Sequence, residues 1–299
     1  MRGRSLRAGG ECPRPGCERA ASAAPVYTRP MDNGGRIGFI GGGNMALAIL
    51  GGLRRSGRPA EEFVVVEPEA AQRERLQREC AVAAIALPDA SLAGCDTLVW
   101  AVKPQVFAQA AAACRPWCAS ALHLSIMAGV RCATLATQTG ATRVVRAMPN
   151  TPALIGRGIA ALYAVPGVDE AQREHAAGVL RATGSILWVA REEDLDAVTA
   201  LSGSGPAYVF YLLEAMVQAG SEMGLPAADA RRLAQETFAG AAALAMQSGE
   251  ALSTLRERVT SKGGTTHAAI TAMEQSGVKP AFVQALHAAR RRAEELGRG

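Results

Sequence analysis

Long hydrophobic runs are absent from this sequence. Its longest apolar stretches, at 97–102 and 241–246, fall well short of the roughly 18 residues that a bilayer-spanning helix needs, so nothing in it reads as crossing a membrane. Histidine is scarce as well. The four histidines, His123, His175, His267 and His287, match neither metal-ligand nor catalytic-triad spacing, and no metal site is expected. Only His267, directly after Thr266, stays open to a role. The seven cysteines form no ligand or redox pattern. Cys12 and Cys17 lie in a Pro/Gly-rich stretch, and Cys114 and Cys118 lie one helical turn apart beside Trp117. A pair of ligands does not hold zinc, which takes four, so the cysteines read as unpaired thiols in a reducing, cytoplasmic setting. Acidic residues are sparse at the start, where Arg2, Arg4, Arg7, Arg14, Arg19 and Arg29 face only Glu11 and Glu18. That stretch lacks the apolar core of a secretory signal, while its Arg-rich, acid-poor character leaves a transit peptide open.

What remains is a chain of 299 residues with 49% hydrophobic content, enough to fill one large core or two ordinary ones. Its formal charge of +5 raises nucleic acid as a partner. The arginines are instead dispersed among acids, much of the excess sits in the first thirty residues, and no groove-reading motif accompanies it, so no nucleic-acid partner is expected. Residues 1–30 carry Gly, Pro, Ser, Ala and Arg without apolar periodicity and read as a disordered extension. Met31 stands just before the first periodic segment and is an alternative start.

From Arg36 onward, short β-branched runs alternate with helical periodicity. Strands are expected at Arg36–Ile40, Phe63–Val66, Thr97–Ala101, Leu122–Ile126 and Arg143–Ala147. Helices are expected at Met45–Ser56, Glu69–Glu79, Val106–Cys114 and Arg131–Gln138. Such alternation means a mostly parallel sheet covered on both faces. Two more strands, near Ile159–Tyr163 and Ile186–Val189, extend it around a helix at Glu170–Arg181. After Asp194 the strand signal stops and the chain turns Ala-rich and helical. The domains are therefore drawn at 1–30, 31–193 and 194–299. Pro206 suits a first helical turn, and Ala207–Ala219 is apolar on nearly every face. A helix of that kind must be buried all round, which a domain of about a hundred residues cannot do by itself, so a second subunit is expected to cover part of it.

The first strand runs into Gly41-Gly42-Gly43-Asn44-Met45-Ala46, a match to the G-x-G-x-x-G/A fingerprint of dinucleotide sites. Gly41 permits the tight turn, Gly43 lets backbone approach a pyrophosphate, and Ala46 lets the helix pack close to the sheet. The helix start near Asn44 offers unpaired N–H groups to the anion. Glu67 ends the second strand, where a carboxylate can accept hydrogen bonds from the adenosine ribose and repel the extra phosphate of NADP. It can equally be a helix-start residue with Pro68 and Glu69. Ala101-Val102-Lys103-Pro104 and Ile126-Met127-Ala128 follow strands that end on the same side of the sheet, where ligands of open parallel sheets lie.

Five segments together, Ile37 to Met45, Ala101 to Pro104, Arg146-Ala147-Met148-Pro149-Asn150-Thr151-Pro152, Leu201-Ser202-Gly203-Ser204-Gly205-Pro206-Ala207-Tyr208 and Ser261-Lys262-Gly263-Gly264-Thr265-Thr266, resemble in order the signatures of pyrroline-5-carboxylate reductases. The resemblance runs from about Arg36 to Leu296. It implies a Rossmann-type doubly wound α/β domain followed by an all-helical dimerisation domain, in a homodimer that assembles into a larger homo-oligomer. It implies reduction of 1-pyrroline-5-carboxylate to L-proline with NADPH or NADH. Coenzyme contacts would fall on Gly41, Gly42, Gly43, Asn44, Met45, Ala46, Glu67, Glu69, Ala101, Val102, Lys103, Pro104, Ile126, Met127 and Ala128. Substrate contacts would fall on Glu193, Val259, Ser261, Gly263, Gly264, Thr265 and Thr266, with the Thr266 hydroxyl near the ring nitrogen. Three departures stand out. Lys262 replaces the family's common Pro, the second strand ends in acids where NADPH-using relatives often carry Ser or Arg, and an asparagine frequent before the third strand is missing near Pro88 and Asp89.

The chemistry of a Gly-Gly-Thr-Thr segment at a helix start fits a carboxylate ligand through backbone N–H groups and hydroxyls. The competing reading is ordinary helix capping by Thr265 or Thr266. Ser202 to Pro206 likewise reads at least as well as a tight turn and cap as it does as a ligand contact. Hydroxyacid and phosphogluconate dehydrogenases share this domain order but use a helical lysine in the second domain. Here the candidates are Lys262 in a glycine loop and Lys279 beside Pro280. A dinucleotide sensor would not need an intact second glycine loop.

Overall fold

The computed structural model describes residues 35–298. The expectations placed on residues 1–30, on Cys12 and Cys17 and on Met31 lie outside them. Within that span, eight strands form one sheet: β1 (Ile37–Ile40), β2 (Phe63–Val66), β3 (Ala84–Ile85), β4 (Thr97–Trp100), β5 (Leu122–Ser125), β6 (Val144–Met148), β7 (Gly158–Ala164) and β8 (Gly184–Trp188). Their order is β3-β2-β1-β4-β5-β6-β7-β8. Neighbours run parallel except β6 and β7, which are antiparallel. The connection between those two holds only a short 3-10 turn, Thr151–Ile155, and a parallel return needs a far longer crossover.

Strand alternation sorts the core into two layers. Ile37, Phe39, Phe63, Val65, Val99, Leu122 and Leu124 point to one face, where α1 (Asn44–Arg55), α2 (Ala70–Cys80) and α5 (Glu170–Arg181) cover them. Val64, Val66, Leu98, Trp100 and Val144 point to the other, under α3 (Phe107–Cys118) and α4 (Cys132–Thr139). Each fully buried aliphatic or aromatic side chain contributes about 1.5–3 kcal/mol, so both layers hold the sheet. α3 runs a turn beyond the expected end at Cys114. Pro116 sits in its last turn, where the missing N–H removes one hydrogen bond without stopping the helix.

Past β8 the chain is helical: α6 (Asp194–Val198), a π-helical turn at Thr199–Gly203, α7 (Gly205–Glu222), α8 (Ala227–Ser248), α9 (Leu252–Arg258), α10 (Thr265–Gln275) and α11 (Val278–Leu296). Pro206 does open α7 in its first turn. Part of this helix stays uncovered in the single chain, with Phe210 59% and Tyr211 73% exposed, as expected for a helix that a second subunit covers in part. α7 packs on α8, where Gly220 lets the helices approach so closely that a Cβ there would lie 2.8 Å from that of Ala230. α11 packs on α6 and the π turn. Lys279 lies in the first turn of α11, exposed to solvent.

Candidate functional site

The sheet's order reverses beside β1, whose neighbours β2 and β4 are reached by connections on opposite faces. The loops after β1 and β4 therefore diverge and leave a crevice at the strand ends. Gly41 enters it with φ +98°, and a Cβ there would lie 2.8 Å from the Ala101 carbonyl oxygen. Both facts require glycine. Gly43 faces open space, with no atom within 4 Å of a built Cβ. It is also the capping position of α1, without any side-chain cap or first-turn acid. The first helical bond runs from Leu47 N to the Gly43 oxygen, which leaves earlier amides free to bind an anion. An open cradle with uncapped donors fits a pyrophosphate.

Glu67 has a role that the sequence reading did not contain. Its Oε2 accepts the Gly42 amide at 2.7 Å, and its Oε1 accepts the Glu69 amide at 2.9 Å. Gln72 donates to the Gly42 carbonyl from the other side, and Arg75 donates to the Asn44 side chain at 2.8 Å. The β2–α2 connection thus grips the glycine loop. Each Glu67 oxygen keeps a lone pair for a ribose hydroxyl. Glu69 is exposed and caps α2 without a side-chain hydrogen bond.

Beside this loop, Ala101 N bonds to the Ile40 oxygen and Ile126 N to the Trp100 oxygen, so Ala101–Pro104 and Ile126–Ala128 emerge at the same sheet edge as the glycine loop. Lys103 and Pro104 are exposed, Ala101, Val102, Ile126 and Ala128 are half-buried, and Met127 is buried. Beneath them Trp100 Nε1 donates to His123 Nδ1 at 2.9 Å, and His123 Nε2 meets the Cys118 carbonyl at 2.9 Å. That pair of contacts requires the Nε2–H tautomer. Burial holds the His123 pKa below its usual 6.5.

Of two adjacent glutamates, the structure turns Glu192 inward and leaves Glu193 exposed. Glu192 Oε1 accepts from Arg146 Nη1 at 3.0 Å and from the Cys132 amide at 2.8 Å. Arg131 pairs with buried Asp196 at 2.5 Å. Burial, with Glu192 alongside, pushes the Cys132 thiol up to about 12, so it is no nucleophile. These groups fasten α4 and β6 to the segment leading into α6. Sequence reading missed them, though Arg146 inside an apolar strand was a usable signal.

Two of the motifs meet here. Asn150 Nδ2 donates to the Ser202 carbonyl at 3.2 Å, and its Oδ1 accepts the Ile159 amide at 3.0 Å. A π turn leaves carbonyls without regular helical partners, and Asn150 satisfies one. The tight turn and cap expected at Ser202 to Pro206 are corrected: a π turn at Thr199–Gly203 runs on into α7, and Ser204 makes no side-chain cap bond.

The loop from Val259 to Thr266 is largely exposed. Gly263 has φ +76°, and Gly264 caps α10 with no side-chain cap. Among the described residues neither the Thr265 nor the Thr266 hydroxyl has a hydrogen-bond partner, and α10 has no side-chain cap, which corrects the capping reading. Both hydroxyls, and the uncapped amides behind them, stay available to an anion. The loop's own bonds are local, such as Gly264 N to the Ser261 oxygen. Among the described residues no hydrogen bond joins this loop to the crevice beside β1.

Residues 192–296 match a family described as pyrroline-5-carboxylate reductase dimerisation, and residues 36–129 one described as NADP oxidoreductase, coenzyme F420-dependent. The chain is 44% identical over 263 residues to the pyrroline-5-carboxylate reductase of Pseudomonas aeruginosa, covering 87% of this chain and 96% of the relative. It is 41% identical over 266 residues to that of Haemophilus influenzae, with coverages of 87% and 97%. Its fold is similar to the Coxiella burnetii pyrroline-5-carboxylate reductase, with TM-score 0.81, 35% identity and coverages of 88% and 99%. The Plasmodium falciparum enzyme, solved with NADP bound, gives TM-score 0.80 at 26% identity, with coverages of 90% and 100%.

Proposed function

The chain belongs to the pyrroline-5-carboxylate reductase family, and from that premise we propose how its residues divide the work. The reaction is the NAD(P)H-dependent reduction of 1-pyrroline-5-carboxylate to L-proline, the last step of proline biosynthesis. Residues 31–193 hold the coenzyme, and residues 194–299 bind substrate and dimerise. The single observation that carries the assignment of the substrate loop is the uncapped start of α10 with two unengaged threonine hydroxyls.

The coenzyme lies across Gly41, Gly42, Gly43, Asn44, Met45 and Ala46, and the amides at the start of α1, ahead of Leu47, take its pyrophosphate. Glu67 and Glu69 stand at its adenosine end. Ala101, Val102, Lys103, Pro104, Ile126, Met127 and Ala128 flank the reactive end. When bound, the reduced nicotinamide supplies the hydride. The substrate is a ring imine, and its protonated form is already electrophilic at the carbon to be reduced. Addition there sends the C=N electron pair to nitrogen and neutralises the ring, so the chain need not deliver a strong acid. Its task is orientation and exclusion of water. Gly263, Gly264, Thr265 and Thr266 bind the carboxylate through amides and hydroxyls, with Val259, Ser261 and Glu193 at the margin, and the Thr266 hydroxyl faces the ring nitrogen.

The exposed apolar faces of α7 and α8 support a homodimer, because pairing along them removes Phe210, Met216, Leu233 and Leu244 from water. Such pairing also brings a second chain against the exposed Val259–Thr266 loop, and dimers assemble further into a larger homo-oligomer. A cytoplasmic setting is supported by the free thiols of Cys80, Cys95, Cys114, Cys118 and Cys132. No helix among the described residues is long and apolar enough to cross a membrane. The test is turnover of 1-pyrroline-5-carboxylate by the purified protein with NADPH or NADH, read as coenzyme oxidation and L-proline formed in equal amounts. Coenzyme binding without turnover would overturn the reading.

A further inference from the structure

The adenosine end of the crevice carries a cation with no acidic partner among the described residues. Arg73, in the first turn of α2, places Nη1 on the carbonyl oxygens of Glu67 at 3.0 Å and Pro68 at 2.6 Å. Those carbonyls belong to the end of β2, beside the carboxylate that braces the glycine loop. Arg75 and Arg78 on the same helix both pair with Glu79. Arg73, half-buried, makes no salt bridge with Glu67, Glu69 or Glu74. Its guanidinium is held in place by neutral acceptors that leave its charge uncompensated, and three of its five N–H donors are on nitrogens other than Nη1.

A phosphate and a carboxylate at this position repel one another, so Glu67 alone would restrict the site to a coenzyme with an unmodified ribose. An arginine fixed at the same strand end changes that balance, because a guanidinium matches phosphate oxygens in charge and planar geometry. We propose that Arg73 is the coenzyme-selecting residue, receiving the 2′-phosphate of NADPH while Glu67 receives the ribose hydroxyls of NADH, so that one site accepts both. The inference rests on the reading that the dinucleotide lies across Gly41–Ala46. Gln72 and Glu67 fix the loop whichever coenzyme is bound, and Arg73 touches neither Gly42 nor Gly43. Its removal therefore acts on the phosphate and leaves the pyrophosphate cradle in place.

Calorimetric titration of the full chain with NADPH and with NADH tests this without reference to turnover. Arg73→Gln keeps a donor for the two carbonyls and removes the charge. It should weaken NADPH binding by at least about tenfold, the scale of one lost charge-assisted hydrogen bond, and leave NADH within about twofold. Arg73→Lys should recover part of the NADPH affinity. In wild type the preference for NADPH over NADH should fall as salt rises, and in Arg73→Gln that dependence should shrink. An equal loss for both coenzymes would make Arg73 a brace only, and an unchanged ratio would remove it from the site; either overturns the proposal. Wild-type protein that binds neither coenzyme would instead overturn the crevice reading on which the proposal stands.

Discussion

Glu67 and Gly42 are joined across the mouth of the crevice: the carboxylate of one accepts the amide of the other at 2.7 Å. Ribose binding and loop bracing are therefore properties of a single side chain. Glu67→Ser should shift the ratio of catalytic efficiencies towards NADPH, since the repelling carboxylate is gone. It should also weaken both coenzymes, since the Gly42 amide loses its acceptor. Steady-state kinetics with each coenzyme separates these effects. A parallel loss with an unchanged ratio would leave Glu67 as a brace alone.

Arg146 and Glu192 form a buried pair, with side chains 3% and 17% exposed. Removing one partner leaves an uncompensated charge, and Arg146→Ala should cost about 3–5 kcal/mol of stability. Adding Glu192→Gln should recover part of that loss, because the amide oxygen still accepts from Cys132 N. Urea unfolding of the single and double variants measures both. A loss below about 1 kcal/mol for Arg146→Ala would place the pair among weak surface bridges.

His123 is neutral in the fold, and burial lowers its pKa from 6.5. His175 is shifted the same way for the same reason. For a depressed histidine, the unfolded chain binds more protons than the folded one between the two pKa values. Stability is therefore complete above 6.5 and falls as pH drops below it. A proton on His123 Nδ1 would also face the Trp100 N–H. Urea midpoints across this range should fall on acidification, and His123→Gln should flatten part of the slope. A slope identical in that variant would assign it to other groups.

Much of this arrangement was legible in the sequence, and the limits have physical causes. Phe63–Val66 and Glu170–Arg181 carry enough period to fix both ends of the element, whereas the two-residue strand Ala84–Ile85 carries none. Glu67 was visible as an acid at a strand end. Its grip on Gly42 was not, because a hydrogen bond across a loop leaves no periodic trace. The same holds for Arg146 with Glu192 and for Asn150 with Ser202, which meet only after the helical segment folds back on the sheet. The uncovered face of α7, with Phe210 and Tyr211, was legible as a need for a second copy, since an all-apolar helix exceeds what so small a domain can bury.

The reading turns most directly on Thr266, whose hydroxyl the fold leaves unengaged at the start of α10. Thermal stability and steady-state kinetics of Thr266→Ala, measured on the same preparation, test it. Catalytic efficiency should fall by roughly tenfold to a hundredfold, the equivalent of about 1.5–3 kcal/mol for a hydrogen bond to a charged group. Stability and coenzyme affinity should stay near wild type. Wild-type kinetics together with a stability loss of about 1 kcal/mol, the mark of a lost helix cap, would contradict the account.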